Sequence, residues 1–308
     1  LRTSVQRMTR LPLAPPALAP GARVALLSPA GPITDRADLA RAESNARALG
    51  WEPVVFPGAR ARHGYLAGDD ASRAADLNAA IRDPRIDGIW CIRGGYGAMR
   101  ILDAIDYDTL RQSPKAVIGY SDITALHCAI AARCGLVSYH GPNARGELTP
   151  FSRASLERAT RQSGDPFAGA APLTMCQDGH ATGPLAGGNL ALLCALIGTP
   201  YAPSFDGAIL IIEDVSEPLY RIDRMLRQLV LCGALGSLAG LCIGSFTDRG
   251  EERDDAPRSL DVLFTEAAAH VRGPVAFGAP IGHLADQWTL PLGARAELTA
   301  RGLALAAD

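Results

Sequence analysis

The chain has 308 residues, 48% hydrophobic and 20% charged, the composition of a globular protein with room for about two domains. Its 32 acidic and 30 basic side chains nearly cancel to a formal charge of −2, which excludes a general binder of nucleic acid or acidic lipid. Lys115 is the single lysine, so positive charge is almost all guanidinium, suited to carboxylates and not to Schiff-base chemistry.

Residues 1–20 carry Arg2, Arg7 and Arg10 ahead of a Pro/Ala run broken by Pro12, Pro15 and Pro16. This reads as a loose lead-in and not as the apolar stretch of a secretory leader. Arg23–Ser28 is then a short apolar strand, followed by a helix from Asp35 that stops at Gly50. Glu52–Phe56 is the next strand and 69–83 the next helix. Ile86–Ile92 and Ala116–Tyr120 follow as strands, the latter leading into a helix that ends near Gly135. Strands recurring roughly every 30 residues have the spacing of βαβ units. They are apolar throughout and not alternating, as expected of strands covered on both faces. The fold class is therefore α/β, with an N-terminal doubly wound parallel sheet over residues 21–145.

Beyond Leu136–His140 the chain turns rich in Gly, Pro, Ala and Ser, with one helix near Ser152–Gln162, and 146–185 reads as a linker region. Residues 186–308 form a second, β-rich domain. Its strands are Ala208–Asp214, Gly240–Phe246, 274–277, 288–292, 295–300 and 303–306, with helices at 218–232 and 260–271. The closing strands suggest a small mixed or barrel-like sheet. The seven cysteines are odd in number and contain no Cys-x-x-Cys, so a reducing, cytoplasmic setting is expected. No apolar run is long enough for a spanning helix.

Two segments bear on chemistry. In KAVIGYSDITALH a strand runs into Ser121-Asp122 and then a helix, presenting Ser121 at the carboxyl edge of the sheet, where α/β proteins bind ligands. Backbone N–H groups at such a helix start can receive a developing oxyanion. On this segment alone Ser121 and Asp122 read first as a helix cap, and G-x-S-x-G is not matched because Ile123 replaces the second glycine. The loop Arg93-Gly94-Gly95-Tyr96-Gly97 follows the third strand and lies on the same edge. It reads either as a tight turn or as a substrate cradle, and it fits neither a dinucleotide fingerprint nor a Walker loop. A serine nucleophile needs a base and an orienting acid. Among six histidines, His127 lies on the following helix and reads as packing, whereas His283 stands in a loop of the second domain. Glu213 ends an apolar strand, with Asp214 turned to the opposite side.

RGGYGAMRILDAID, IGYSDITALH, HGPN, GPLAGGNLALLCALIGTPY, LIIEDVSEPLYRIDRMLRQL and PIGHLADQWTLPLG resemble, in order, the blocks of the LD-carboxypeptidase family, which includes muramoyltetrapeptide carboxypeptidases and microcin C immunity peptidases. The resemblance runs from about Gly21 to Gly302. It implies a serine peptidase with a Ser121–Glu213–His283 triad and oxyanion donors at the backbone N–H of Gly95 and Asp122. It further implies release of terminal D-Ala from L,D-linked murein tetrapeptides during cell-wall recycling, no metal or cofactor, and a homodimer. Substrate contacts are expected from Arg93, Tyr96, His140, Arg145 and Arg221, the arginines for a free carboxylate. Arg221 and Arg224 also read as the solvent face of an amphipathic helix. Two alternatives are an immunity-type peptidase acting on aminoacyl-nucleotide antibiotics and a non-catalytic ligand-binding α/β module. Trp51, Trp90 and Trp288 sit at strand-like positions and read as core, not as a platform for a base.

Overall fold

A computed structural model describes residues 12–248 and 258–306. In chain order its strands are β1 (Arg23–Leu27), β2 (Glu52–Val55), β3 (Gly88–Cys91), β4 (Ala116–Gly119), β5 (Ser138–His140), β6 (Thr174–Gln177) and β7 (Ala181–Asn189). They continue with β8 (Ile209–Val215), β9 (Gly240–Thr247), β10 (Val275–Phe277), β11 (Leu290–Leu292), β12 (Arg295–Thr299) and β13 (Gly302–Leu305). The α-helices are α1 (Ala37–Ala48), α2 (Asp70–Arg82), α3 (Tyr107–Gln112), α4 (Thr124–Cys134), α5 (Pro150–Arg161), α6 (Leu190–Leu196), α7 (Leu219–Leu231), α8 (Ala234–Ser237) and α9 (Leu260–Ala268).

The first sheet has the order β11-β5-β4-β3-β1-β2. β5, β4, β3, β1 and β2 run parallel, and β11 closes the edge antiparallel to β5. Every residue of β3 and β4 is buried, which is why these strands are apolar without alternation. Each fully buried Ile or Leu in such a layer contributes roughly 1.5–3 kcal/mol. The lysine Lys115 is buried too; its ammonium donates to Asp83 O at 2.9 Å and to Ile86 O, tying β4 to the α2–β3 connection.

The second sheet has the order β13-β12-β7-β8-β9-β10-β6. Its centre is parallel, β7-β8-β9-β10, and antiparallel strands flank it on both sides. The closing strands are thus the mixed part of a sheet whose middle repeats the α/β pattern of the first. The segment 146–185 is not a bare linker, since it holds α5, β6 and the start of β7. The lead-in is not loose where it is described. Leu13 bridges Leu136, Leu18 is fully buried, and Gln162 Nε2 donates to Pro15 O at 2.8 Å. Residues 1–11 of that stretch lie outside the described residues. Among the described residues no helix is long and apolar enough to cross a membrane.

The two sheets meet where β7 reaches α4. Asn189 N–H donates to Thr124 Oγ at 3.0 Å. A Cβ on Gly188 would stand 2.5 Å from that hydroxyl, and one on Gly187 would stand 1.9 Å from Ile211 O. Gly188 is therefore a condition of the close approach between the sheets, and Gly187 of the pairing of β7 with β8.

Candidate active site

The carboxyl end of β4 carries the first element. Tyr120 is extended, but Ser121 has φ +66°, in the left-handed region, before a 3-10 turn over Ser121–Ile123 feeds α4. A non-glycine residue held there stores on the order of 1–3 kcal/mol, which the surroundings must sustain. They do so by close packing. A Cβ on Gly119 would lie 3.0–3.1 Å from Ile123, Asn143 and Cys91, and one on Gly94 would lie 3.0 Å from Ser121 Cβ. His127 braces the turn from behind. Its Nε2–H donates to Gly119 O at 2.8 Å and its Nδ1 accepts from Ser138 Oγ at 2.9 Å, an assignment forced by the carbonyl. Burial pushes its pKa down to about 4, so the ring is neutral. The packing role read for His127 holds, with a polar purpose.

Beside this turn lies the glycine loop after β3. Gly31 N–H donates to Gly94 O at 2.9 Å, and the Asp122 carboxylate accepts from Ala98 N–H at 2.7 Å. Gly95 has φ +98° and is exposed, and its N–H donates to no acceptor among the described residues. The position a Gly94 Cβ would take is only 3.3 Å from Asp122 N, so loop and turn backbones adjoin.

The second sheet brings a carboxylate and an imidazole to the same place. Glu213 is fully buried in β8 where the pairing with β9 shifts register between Ile212 and Asp214, the kind of irregularity that re-aims a side chain. Its Oε2 meets His283 Nδ1 at 3.0 Å. A carboxylate only accepts, so Nδ1 carries a proton, and the neutral tautomer compatible with this bond has its lone pair on Nε2. Gly282 permits this approach: with φ +105°, its missing Cβ would fall 2.8 Å from Glu213 Oε2 and 2.5 Å from Ser245 Oγ. The His283 ring packs on Tyr120, the neighbour of Ser121, at 4.9 Å between centroids. Among the described residues no hydrogen bond joins Ser121 Oγ to His283. Asp214 does turn away from Glu213, accepting from Asn189 Nδ2 at 2.8 Å and Ala191 N at 2.9 Å, and burial raises its pKa to about 6.

The remaining candidates divide. Arg93 and Arg145 stand on adjoining segments, with Arg145 N–H donating to Ile92 O at 3.3 Å. Arg145 pairs with the buried Asp38 at 3.3 Å, while Arg93 donates to Pro32 O, and burial together with Arg145 lowers its pKa. Tyr96 is exposed and packs edge-on against Tyr65 at 5.6 Å. His140 is 1% exposed, so it offers no surface to a ligand; its ring lies behind Tyr120, and burial drives its pKa to about 3. Arg221 is not brought to the other residues. It lies exposed on α7, paired with Glu217 at 3.5 Å, and Arg224 stacks on Tyr220, the solvent-face arrangement. Sequence reasoning missed Asn143, whose Oδ1 accepts from Tyr120 N at 3.3 Å, and Gln287, which faces the Tyr120 hydroxyl. Asn143 stands in the HGPN block, which could have singled it out. Among the described residues no three His, Cys, Asp or Glu side chains converge as a metal site.

A strained serine at a strand–helix turn, an unclaimed loop N–H and a buried carboxylate–imidazole pair belong to the class of serine-type hydrolytic enzymes. The profile of the LD-carboxypeptidase N-terminal domain matches residues 24–141 and that of the LD-carboxypeptidase C-terminal domain matches residues 182–298. The chain belongs to the LD-carboxypeptidase family. A murein tetrapeptide carboxypeptidase of Pseudomonas aeruginosa is 36% identical over 90% of this chain and 92% of its own. The crystal structure of a muramoyltetrapeptide carboxypeptidase from Oxalobacter formigenes is 30% identical, with TM-score 0.78 over 92% of this chain and 98% of that one. The microcin C7 self-immunity protein MccF of Escherichia coli is 28% identical over 75% of this chain and 76% of its own. A structure of MccF with glutamyl sulfamoyl guanosine has TM-score 0.87 over 96% of this chain and 99% of that one; at 24% identity this speaks for the fold alone.

Proposed function

We propose that the enzyme releases the terminal D-Ala of L,D-linked murein tetrapeptides through an acyl-enzyme on Ser121, in the recycling of cell-wall peptides. The observation that carries this reading is the 3.0 Å bond between Glu213 and His283, which sets the imidazole tautomer a nucleophile requires. His283 Nε2 takes the Ser121 hydroxyl proton as Oγ bonds to the carbonyl carbon. The backbone N–H groups of Gly95 and Asp122 receive the oxyanion. The amine of D-Ala departs with the proton held by His283, and water, deprotonated in the same way, releases the shortened peptide. The missing Ser121–His283 bond is compatible with this, because such bonds commonly tighten only with substrate in place. Asp38 pairs with both Arg145, at 3.3 Å, and Arg41, at 3.7 Å, and it is the carboxylate that Arg93 feels as well, so this cluster of three guanidinium groups keeps a positive charge to offer the substrate carboxylate.

Nucleotide-linked substrates are the competing class. Trp51 packs edge-on against Trp90 at 5.4 Å and Trp288 against Phe167 at 5.1 Å, and all three indoles are buried, which favours the peptide. The test is a panel of an L,D-linked tetrapeptide, its all-L counterpart and an aminoacyl sulfamoyl nucleoside, read by mass spectrometry. Loss of the D-residue from the first alone is expected. Cleavage of the nucleoside with the tetrapeptide left intact refutes the reading.

A further inference from the structure

The geometry assigns to Asp122 and Arg73 a positioning role: together they set the glycine loop so that Gly95 N–H faces the carbonyl attacked by Ser121. This rests on the acyl-transfer reading above and adds to it two side chains with no part of their own in the chemistry.

Arg73 projects from α2 and is 2% exposed, an unusual place for a guanidinium. Its Nη1 donates to Gly97 O at 2.8 Å and also to Pro29 O, and its Nη2 pairs with Asp70. Asp70 is held in turn by Arg100, Nη2 to Oδ2 at 2.7 Å, so the buried charge is compensated. One guanidinium thus spans the loop after β1 and the loop after β3. Asp122, also 2% exposed, anchors the following peptide by accepting from Ala98 N–H at 2.7 Å. At the other end Gly31 N–H holds Gly94 O at 2.9 Å. The peptide of Gly95 therefore lies between fixed points, with its own N–H unclaimed.

Gly97 completes the fit. At φ +131°, a Cβ there would sit 2.9 Å from Arg73 Nη1 and 2.6 Å from Leu66 Cδ2. Asp122 consequently acts on both proposed oxyanion donors: its main-chain N–H is one, and its carboxylate anchors the loop that carries the other. A buried carboxylate is costly unless bonded, so an apolar side chain would serve packing alone as well or better. What the carboxylate adds is the registry of two backbone donors, where a misplacement of about 1 Å can cost on the order of 100-fold in rate.

The experiment compares wild type, Asp122→Ala, Asp122→Asn and Arg73→Lys in three readings: kcat, KM, and the inhibition constant of a peptide aldehyde whose hemiacetal oxyanion needs the same donors. Circular dichroism establishes folding. Asp122→Ala is expected to lower kcat and aldehyde affinity together by about 100-fold, with KM within about threefold. Asp122→Asn keeps an oxygen for Ala98 N–H and should recover most of the loss. Arg73→Lys keeps the charge but cannot span both carbonyls, and should lose about tenfold in the same two readings, which decides the matter if the alanine variant does not fold. Folded variants with wild-type kcat and aldehyde affinity overturn the inference alone. A wild type that cleaves no L,D-peptide removes the acyl-transfer reading and the inference with it.

Discussion

Glu213 Oε2 and His283 Nδ1, 70 residues apart in the chain, meet at 3.0 Å with the carboxylate fully buried and the imidazole partly exposed. The buried partner orients the partly exposed imidazole, the group that the proposed mechanism uses as base. Glu213→Gln keeps the shape but removes the charge that stabilises an imidazolium. We expect kcat to fall by about 10²–10⁴ with a melting temperature close to wild type. Unchanged turnover in steady-state kinetics would show that the pair is only structural.

The conformation of Ser121 predicts a divergence between stability and activity. Ser121→Ala and Ser121→Gly both delete the proposed nucleophile, but only glycine relieves a φ of +66°. Urea denaturation should find the glycine variant more stable than the alanine variant by about 1 kcal/mol. If alanine is equal or better, the turn is not under strain.

Gly282 tests how closely the second sheet governs the pair. Gly282→Ala would press a methyl group onto Glu213 Oε2 and Ser245 Oγ, as close as 2.5 Å. A loss of about 2–3 kcal/mol and at least about 100-fold in kcat is expected. Gly164→Ala is the control: it carries a comparable φ of +123° with only Arg158 Cδ nearby, at 4.0 Å, and should leave turnover unchanged.

The buried histidine behind the turn gives a pH signature. His127 titrates near 4 when folded against about 6.5 unfolded, so between these values the unfolded chain binds the extra proton. Its contribution is complete above pH 6.5 and is lost as pH falls through 4, about 3 kcal/mol in all. Asp122 and Asp214, raised to about 6 by burial, act in the opposite sense, with stability present below pH 3.8 and lost as pH rises through 6. Removing His127 exposes one side of this balance. Relative to wild type, His127→Gln should become less stable with each step from pH 4 to 6.5, by up to about 1.4 kcal/mol per unit. Parallel stability curves from denaturation at pH 4.5, 5.5 and 6.5 would contradict this.

How much of this was legible in the sequence depended on whether the cause was local. β1, β3 and β4 are continuous apolar runs because both faces are covered, so burial wrote itself into the sequence. β7 is not legible as a strand, and its start falls in the segment read as linker, because Pro184, Gly187 and Gly188 are poor strand formers; the reason for the two glycines is tertiary, the contacts with Ile211 O and Thr124. α6, LALLCAL, is apolar all round and shows no period. The order of the sheets, and with it the insertion of β11 beside β5, carries no local signal. At the site, residue types alone left Ser121 and Asp122 open as a helix cap, and only the family resemblance joined Ser121 to Glu213 and His283. Neither the φ of Ser121 nor the burial of Arg73 has any signature in its neighbours.

The most direct test of the central claim is release of free D-Ala from an L,D-linked murein tetrapeptide by wild type and Ser121→Ala, followed by mass spectrometry. Acyl transfer through Ser121 predicts stoichiometric D-Ala and tripeptide with wild type, and a rate lower by at least about 10⁴-fold in the variant. Equal release by a folded Ser121→Ala enzyme would contradict it.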